Sequence, residues 1–391
     1  MIGADSNILK SGAAFARKVI APVAASADET ETFPADIFRE IGCFGIFGTP
    51  YPEQYEGSGL NFATYLDLIG EIARYSAAVA MSTVAHATLA CEPIWSAGSE
   101  GLKARYLPAL LSGVKIGAFA MTESGSGSDI SALTTCAEDD GDGFILNGSK
   151  LFITNANIAD IIVVVAKTSR RAGVMGLSLL LVEKDMPGVL TTGKSEKKLG
   201  MRASDTGELV FHDVRIPKTN LIGRKDRGFE VLQRTLSAAR LGMAAIAIGL
   251  AKAARDLSLD YAVQRRQFGQ PLYRFQLVKR MLADMEMKID AAELLLANGA
   301  RLRDSGQGYA KQASEAKLFA SETAMEVTRD AIQIHGAYGY CRDLPLERLF
   351  RDAKLTEIGD GTSEIQRLII ADEMMKERAN RLAGLAPEDG Q

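Results

Sequence analysis

Ile161-Ile162-Val163-Val164-Val165 is an apolar, β-branched run with the length of a buried strand. A second such run follows at Leu177-Ser178-Leu179-Leu180-Leu181-Val182, and Gly141-Asp142-Gly143 and Asn147-Gly148 are typical of hairpin turns. Short strands separated by turns predict a small β-barrel or sandwich between about residues 115 and 217.

Outside this region the apolar residues recur with the period of a helix. Before it, one helical face carries Leu66, Ile69, Ile72 and Ala73. After it, six apolar residues recur every three or four positions: Leu277, Met281, Met285, Ile289, Ala292 and Leu296. The predicted helices span 228–265, 276–304, 309–335 and 361–381, which together favour a four-helix bundle.

The sequence therefore predicts a mostly α fold with a central β domain. We expect an N-terminal helical domain over 1–114, a middle β domain over 115–226 and a C-terminal helical bundle over 227–391. The order helices, strands, helices argues against a doubly wound nucleotide-binding fold, and no G-x-G-x-x-G stands between a strand and a helix.

Composition excludes several classes of protein. The 391 residues carry a net charge of -4 with no basic block, which argues against a nucleic-acid scaffold. The four cysteines form no C-x-x-C pair and the three histidines lie far apart, so a reducing compartment and no metal site are expected. No apolar run reaches the ~18 residues of a membrane span, and residues 1–30 lack the apolar core of a secretory signal. We expect a soluble, cytoplasmic protein.

One carboxylate stands out near the C-terminus, because Asp360 lies between Gly359 and Gly361 at the predicted start of a helix. Glycine on both sides lets a ligand approach the backbone. Thr362 and Ser363 follow at the position where free N–H groups attract polar ligands. This arrangement suits a general base beside a bound cofactor, although a capped helix start after a turn would have the same sequence.

Three other stretches have residues that suit a flat ligand bearing phosphates. The Gly- and Ser-rich loop over 121–129 offers N–H groups and hydroxyls that can hold a phosphate. In 147–156, Phe152 and Thr154 share one strand face, which suits a flat polar heterocycle. Arg265, at the end of the first bundle helix, has the planar fork that bonds a pyrophosphate. A surface loop, a half-buried strand and a cation at a helix C-terminus are the structural alternatives.

Taken together, six motifs resemble those of the acyl-CoA dehydrogenase family of flavoproteins, in the family's order and over nearly the whole chain. They are Met121-Thr122-Glu123 through Ser128-Asp129, Phe152-Ile153-Thr154-Asn155, Lys198-Leu199-Gly200-Met201-Arg202, Arg265-Arg266-Gln267-Phe268-Gly269, Gln333-Ile334-His335-Gly336, and Asp360-Gly361-Thr362-Ser363-Glu364-Ile365-Gln366-Arg367. The pattern is nearest to the short- or branched-chain members.

The resemblance implies FAD bound between the β domain and the bundle, in a dimer or more often a homotetramer. It implies α,β-dehydrogenation of an acyl-CoA thioester, with electrons passed to an electron-transferring flavoprotein. Thr122 would hold the pyrimidine edge of the flavin, Phe152 would cover its ring where many members have Trp, and Thr154 would bond near N(5). Arg265 and Phe268 would contact the FAD of the partner subunit. The full set implied for FAD is Phe119, Met121, Thr122, Gly127, Ser128, Phe152, Ile153, Thr154, Arg265, Phe268, Gln276, Gln333, Gly336, Thr362 and Glu364.

The resemblance also implies substrate contacts and a base. The substrate contacts are Ser128, Ser237, Arg240 and Gly361. Asp360 lies where most members carry the Glu that removes the α-proton. A second group of members takes its Glu from the residue before the bundle arginine, but that residue here is Ala239.

Aspartate at the base position leaves two interpretations of the substrate. A shortening by one methylene could weaken the reaction, because a misplacement of about 1 Å can cost roughly 10²-fold in rate. Alternatively, a branched or alicyclic acyl group could bring a bulky α-carbon closer to the backbone. The other functions to be weighed are an acyl-CoA oxidase, a non-oxidative relative and a flavin-containing nucleic-acid-binding protein, the last of which would carry an added basic region.

Overall fold

A computed structural model describes residues 6–169 and 173–384. Helices come first along the chain, a sheet follows, and helices return, so the predicted fold class is confirmed. The N-terminal α-helices are α1 Ser6–Phe15, α2 Ala21–Thr30, α3 Ala35–Phe44, α4 Phe62–Ala73, α5 Ala77–Val84, α6 Glu92–Ala97 and α7 Glu100–Leu111.

Local side chains set where these helices begin. Asn61, Ser76 and Ser99 each accept a hydrogen bond from a backbone N–H in the first turn of the helix that follows. Between α5 and α6 the backbone widens into a π-helical segment, Ala85–Cys91, whose residues are all buried. Such segments are frequent at functional sites.

The strands form one sheet in the order β6-β7-β3-β2-β4-β5-β8, and β1 pairs in parallel with β4. Their bounds are β1 Gly117–Ala120, β2 Cys136–Asp139, β3 Gly143–Thr154, β4 Ile161–Lys167, β5 Leu177–Glu183, β6 Val189–Thr191, β7 Thr206–Pro217 and β8 Leu221–Ile222. The first six residues of both β4 and β5 are buried, as expected for strands covered on both faces.

One turn prediction is wrong. Asn147-Gly148 does not join two strands but lies inside β3, where the register against β7 shifts between Leu146 and Gly148. Gly148 has φ +146°, and a Cβ there would lie 2.8 Å from the Cα of Thr135. The glycine therefore marks a bulge and a close backbone approach, both of which use the same residue type as a turn.

The C-terminal helices pack around one central helix. The helices are α8 Gly228–Gln264, α9 Gln276–Asp304, α10 Ala310–His335, α11 Ala337–Tyr340, α12 Leu346–Thr356 and α13 Ser363–Leu382, with a small hairpin of β9 Arg266–Gln267 and β10 Gln270–Pro271 after α8. Among the described residues α8 alone is long and apolar enough to cross a membrane, but 94% of its most apolar window is buried inside the protein.

Sequence periodicity missed two C-terminal helices, α11 and α12, and misplaced one side chain. The short amphipathic helix α12 was not predicted, although Leu346, Leu349 and Ala353 bury one of its faces. Leu277 belongs to the apolar helical pattern predicted over 277–296, yet it is 71% exposed.

Helix α12 also joins the sheet region to the bundle. The carboxylate of Asp352 in α12 accepts a hydrogen bond from the backbone N–H of Met201. Burial raises the pKa of this carboxyl to about 7. A Cβ on Gly200 would lie 2.2 Å from the carbonyl oxygen of Arg351, so the loop lies directly on the helix. Because α12 ends at Thr356, this contact fixes the helix that leads to Asp360.

Candidate active site

Asp360 lies in the turn between α12 and α13. Thr362 caps α13, with its hydroxyl oxygen accepting from the N–H of Ile365 at 3.4 Å. Asp360 has φ +55° and Gly361 has φ +97°. The capped helix start and the turn before it are therefore both present, and the turn adopts a left-handed conformation that a non-glycine residue rarely adopts.

Side chains from three helices hold the carbonyl groups of this turn. Arg240 of α8 donates to the carbonyl of Asp360 at 3.2 Å. Lys317 of α10 donates to the carbonyl of Gly361 at 2.8 Å. Gln366 of α13 donates to both carbonyls, at 3.2 and 2.8 Å.

The carboxyl group of Asp360 lies in a desolvated position. Its Oδ2 atom is buried and has no hydrogen-bond partner among the described residues. Burial raises the pKa of Asp360, and the nearby charges of Lys317 and Arg240 oppose that rise. A carboxyl with a raised pKa and a free oxygen is suited to take a proton from a ligand.

The predicted substrate contacts lie on α8, in the turn itself and in the loop that follows β1. Arg240 is 7% exposed, and Ser237 lies one turn earlier on α8, where its hydroxyl donates to the carbonyl of Gln233. Gly361 belongs to the turn itself. Ser128 is exposed in the loop that follows β1, and Ala239 is fully buried, so that position offers no second base.

A buried ion pair shapes the segment that follows β1. Lys150 donates at 2.9 Å to the carbonyl of Met121 and at 2.9 Å to the carboxylate of Glu123. Burial would raise the pKa of Glu123, but hydrogen bonds from Lys150, Thr134 and Thr135 outweigh it and lower this pKa to about 2. Burial lowers the pKa of Lys150 to about 8. Both groups are therefore charged at neutral pH.

Three predicted FAD contacts lie in this segment, and the pair bonds the carbonyl of one of them, Met121. Phe119, at 8% exposure, lies in β1 just before Met121 and Thr122, which are half-buried. The carbonyl of Thr122 accepts from the N–H of Leu151 at 2.8 Å, so this segment is held against β3.

At the far end of β3 an aromatic ring faces outward. Phe152 is 61% exposed and has φ +58°, while Ile153 is 3% exposed. Thr154 is half-buried and pairs with Thr206 in β7. A bulge between Lys150 and Ile153 in the register with β7 turns the Phe152 ring out of the sheet.

The predicted phosphate loop is open. Gly127 and Ser128 are exposed, and a Cβ added to Gly127 would meet nothing within 4 Å. Ser126 donates to the carbonyl of Asp129 at 2.7 Å, which closes the loop on itself.

The remaining predicted FAD contacts lie mainly on the outside of the bundle. Phe268 is 93% exposed at the tip of the hairpin after α8, and the Arg265 guanidinium lies 6.0 Å from the ring of Tyr338. Helix ends thus bring the 265–276 and 333–338 segments to one surface. The exposed predicted contacts are Arg265, Phe268, Gln276, Gln333, Gly336 and Glu364, with Thr362 half-buried at the α13 cap. No described contact links Arg265, Phe268 or Gln333 to the Asp360 turn.

These features fit a large, flat, polar ligand with phosphates. The buried side-chain oxygens of Asn155, Asp360, Ser363 and Gln366 lack partners among the described residues. Phe152 exposes an aromatic face that such a ring would cover. Unpaired buried polar atoms are expected where a ligand supplies the missing contacts.

Three residues of the site were missed by the sequence interpretation: Lys150, Lys317 and Gln366. Lys317 carried a signal, because it is the charged residue on a helical face of small side chains that includes Ala313, Ala316 and Ala320. Its partner Gly361 lies 44 residues away, which no local pattern shows.

The described residues include a buried histidine, His86, but no metal-binding cluster. His86 accepts from the N–H of Gly117 with Nδ1 and bonds the Leu110 carbonyl with Nε2, and burial lowers its pKa to about 4. It joins the π-helical segment to β1. Among the residues that the structure describes, no group of three or more His, Cys, Asp or Glu side chains could hold a metal ion.

Comparison with known proteins agrees with this geometry. Models of the acyl-CoA dehydrogenase N-terminal, middle and C-terminal domains match residues 4–114, 118–214 and 226–375. An acyl-CoA dehydrogenase of Bacillus subtilis is 45% identical over 91% of this chain and 94% of its own length. A short-chain specific acyl-CoA dehydrogenase of Clostridium acetobutylicum is 41% identical over 93% and 95%. The solved structure of butyryl-CoA dehydrogenase from Megasphaera elsdenii has a TM-score of 0.93 and 38% identity, covering 95% of this chain and 99% of that one.

The helical domains and the sheet between them are those of a flavin-dependent dehydrogenase. The chain belongs to the acyl-CoA dehydrogenase family. It is an oxidoreductase that uses FAD to dehydrogenate acyl-CoA thioesters.

Proposed function

We propose that Asp360 is the general base that removes the α-proton of a short, branched or alicyclic acyl-CoA. The observation that carries this proposal is the buried, unpartnered Oδ2 atom of Asp360 on a turn whose carbonyls are held by three other side chains. No other carboxylate occupies either position that the family uses, because Ala239 stands at the second.

The chain would activate the α-proton by stabilising charge on the thioester. The α-hydrogen of a thioester is weakly acidic, so its carbonyl oxygen needs hydrogen-bond donors as negative charge develops. We assign that role to the backbone N–H of Asp360, as the resemblance to the family implies. Substrate entry would expel water and raise the pKa of Asp360 further, making it a stronger base.

Bound FAD supplies the acceptor for the β-hydrogen, which leaves as hydride. Phe152 would cover one face of the flavin, with Thr122 and Thr154 at its polar edge. The open loop at Gly127 and Ser128 would bind phosphate. These assignments rest on the resemblance and on the exposure and open space described above.

The size of the side chains at the turn supports a bulky α-carbon. Asp360 is one methylene shorter than glutamate, and its neighbour Gly359 has no side chain. A Cβ on Gly359 would lie 2.9 Å from the Cε of Met243, so a flexible thioether fills the space beside the base. This part of the turn is therefore occupied, and the room for a branched or ring-shaped acyl group comes from the methylene that Asp360 lacks.

The substrate proposal is tested by Asp360→Glu with a panel of acyl-CoAs and a dye acceptor. If Asp360 makes room for a bulky α-carbon, glutamate should lower the rate on a cyclic or branched acyl-CoA by roughly tenfold or more and favour linear ones, because about 1 Å of misplacement is that costly. Stopped-flow bleaching of the flavin with one linear and one cyclic substrate gives the two rates. Faster bleaching by the glutamate variant on both substrates would contradict the bulky-substrate proposal. Peroxide release without an added acceptor would instead indicate an oxidase.

The acceptor and the cellular location are further proposals. We propose an electron-transferring flavoprotein as the acceptor, as the resemblance implies, and a cytoplasmic location, as the four free cysteines suggest. We also propose that the three domains span residues 1–114, 115–226 and 227–391.

We propose that the protein is a homotetramer, or at least a dimer. Large apolar side chains on the outside of the bundle support this proposal, among them Phe268 at 93%, Tyr340 at 84% and Leu294 at 73% exposure. Such residues are usually covered when they cluster on one surface. Light scattering of the flavin-saturated protein at micromolar concentration should give a dimer or tetramer, and a monomer would contradict this assignment.

A further inference from the structure

The turn that carries Asp360 has a conformation that its surroundings must maintain. Asp360 and Gly361 are consecutive residues with positive φ. Positive φ is uncommon for any residue other than glycine, although aspartate adopts it more readily than most. Such backbone persists where neighbouring groups hold it, and it is concentrated at functional sites.

Lys317 is one of the groups that hold it, and it is unusual in being fully buried. Its side chain lies on α10 among small residues and reaches the carbonyl of Gly361 at 2.8 Å. A lysine ammonium has three donors and a full charge, and a buried charge is costly unless an opposite charge lies near it. The opposite charge that acts on it most strongly is that of Asp360, whose Oδ2 is buried without a hydrogen-bond partner among the described residues.

We propose that Lys317 is a positioning residue for the base: it fixes the Gly361 carbonyl, and so the direction of the Asp360 side chain, while its charge keeps the Asp360 carboxylate ionised in a dry site. This inference rests on the proposed function, because it takes Asp360 as the base. It assigns a role to a buried side chain outside the predicted set of contacts.

The charges around the turn support this role. From α8 and α10, Arg240 and Lys317 both act against the burial that raises the pKa of Asp360. Burial lowers the pKa of Lys317 to about 8; Asp360, Glu357 and Glu364 act to raise it, and Arg240 acts to lower it further. Removing the positive charge of Lys317 should therefore raise the pKa of Asp360, so that less carboxylate is present at neutral pH.

Three substitutions separate the charge of Lys317 from its hydrogen bond. Lys317→Gln keeps a donor for the Gly361 carbonyl but loses the charge, Lys317→Arg keeps the charge, and Lys317→Met loses both. Lys311→Gln is the matched control, because Lys311 lies on the same helix and pairs with Glu377 on its outer side.

The first measurement needs no turnover. The carboxyl band of Asp360 in the infrared spectrum of the oxidised holoenzyme, identified by subtraction of the Asp360→Asn spectrum, gives the pKa of this group. We expect Lys317→Gln and Lys317→Met to raise it by one unit or more, since an opposite charge nearby shifts a carboxyl by roughly 1–3 units. Lys317→Arg and Lys311→Gln should leave it close to the wild-type value.

The second measurement is the pH profile of flavin reduction by substrate. Below the raised pKa of Asp360, Lys317→Gln should reduce flavin about tenfold more slowly for each unit by which that pKa has risen, and its rate should recover as the pH rises through the new pKa. A Lys317→Met variant that folds should recover less, because its turn is no longer held.

If Lys317→Gln does not change the pKa of Asp360, the proposal is wrong. If Lys317→Gln lowers the rate equally at all pH values, Lys317 has only a structural role. The glutamine variant carries the test if the methionine variant does not fold. Failure of the base assignment itself would be separate: Asp360→Asn would then reduce flavin normally, whatever the infrared titration shows.

Discussion

Asp360→Asn should slow the reduction of the flavin by substrate by roughly 10²–10⁴-fold, the usual contribution of a general base. Asparagine has nearly the same shape as aspartate but cannot accept the proton. The change should leave the fold and the FAD content intact, because the turn is held through backbone carbonyls by Arg240, Lys317 and Gln366 and not through the Asp360 side chain.

Stopped-flow bleaching of the flavin under single-turnover conditions measures this rate directly. Asp372→Asn is a suitable control, because Asp372 is an exposed carboxylate on the same helix α13. Its rate should equal that of the wild type. An Asp360→Asn variant that bleaches as fast as the wild type would remove Asp360 from the mechanism and with it the catalytic assignment.

Lys150→Met should cause the largest loss of stability that we expect. The side chains of Lys150 and Glu123 are 0% and 5% exposed, and their nitrogen and oxygen lie 2.9 Å apart. Removing one partner of a buried ion pair leaves the other charge desolvated, which costs about 3–5 kcal/mol. The loss should appear in the free energy of unfolding by urea.

A second replacement tests the cause of that loss. Adding Glu123→Gln to Lys150→Met removes the isolated charge, so the double variant should be more stable than Lys150→Met alone. Arg215→Met breaks an exposed ion pair with Asp140 in the same sheet and should cost only about 0–1 kcal/mol. If Lys150→Met costs no more than Arg215→Met, the pair does not stabilise the segment at Met121.

Lys150→Met should also bind FAD more weakly, since Lys150 holds the carbonyl of Met121 next to the proposed flavin contact at Thr122. A higher dissociation constant for FAD, measured by flavin fluorescence, would show that the pair positions this segment.

The stability of the wild-type protein should depend on pH through Glu123. Its pKa is lowered to about 2 in the fold, so its contribution to the free energy of unfolding is present above about pH 4.5 and is lost as the pH falls toward 2.

The sequence alone determined the order of helices, strands and helices. The run Ile161–Val165 and its partner over 177–182 are apolar without alternation, and both form strands buried on both faces. The start of α13 was likewise readable, because the hydroxyl of Thr362 caps the helix through a contact only three residues long. Periodicity and capping depend on residues close in sequence, so they can be recognised without the tertiary structure.

Local chemistry failed where one residue type serves several structures. Asn147-Gly148 has the composition of a hairpin turn, but the pairing of β3 with both β2 and β7 makes it a bulge within one strand. Leu277 continues a helical pattern yet remains exposed, because a pattern shows which face is apolar and not what covers it.

Only the tertiary structure decided the environment of Asp360. The sequence placed a carboxylate between two glycines, but the groups that hold its turn come from α8, 120 residues away, and from α10, 44 residues away. Burial, which raises the pKa of Asp360, and the opposing charges of Lys317 and Arg240 arise when these helices pack together. Such forces depend on distance in space and not in sequence, which is why the residue could be chosen from its motif while its protonation and its supporting contacts could not.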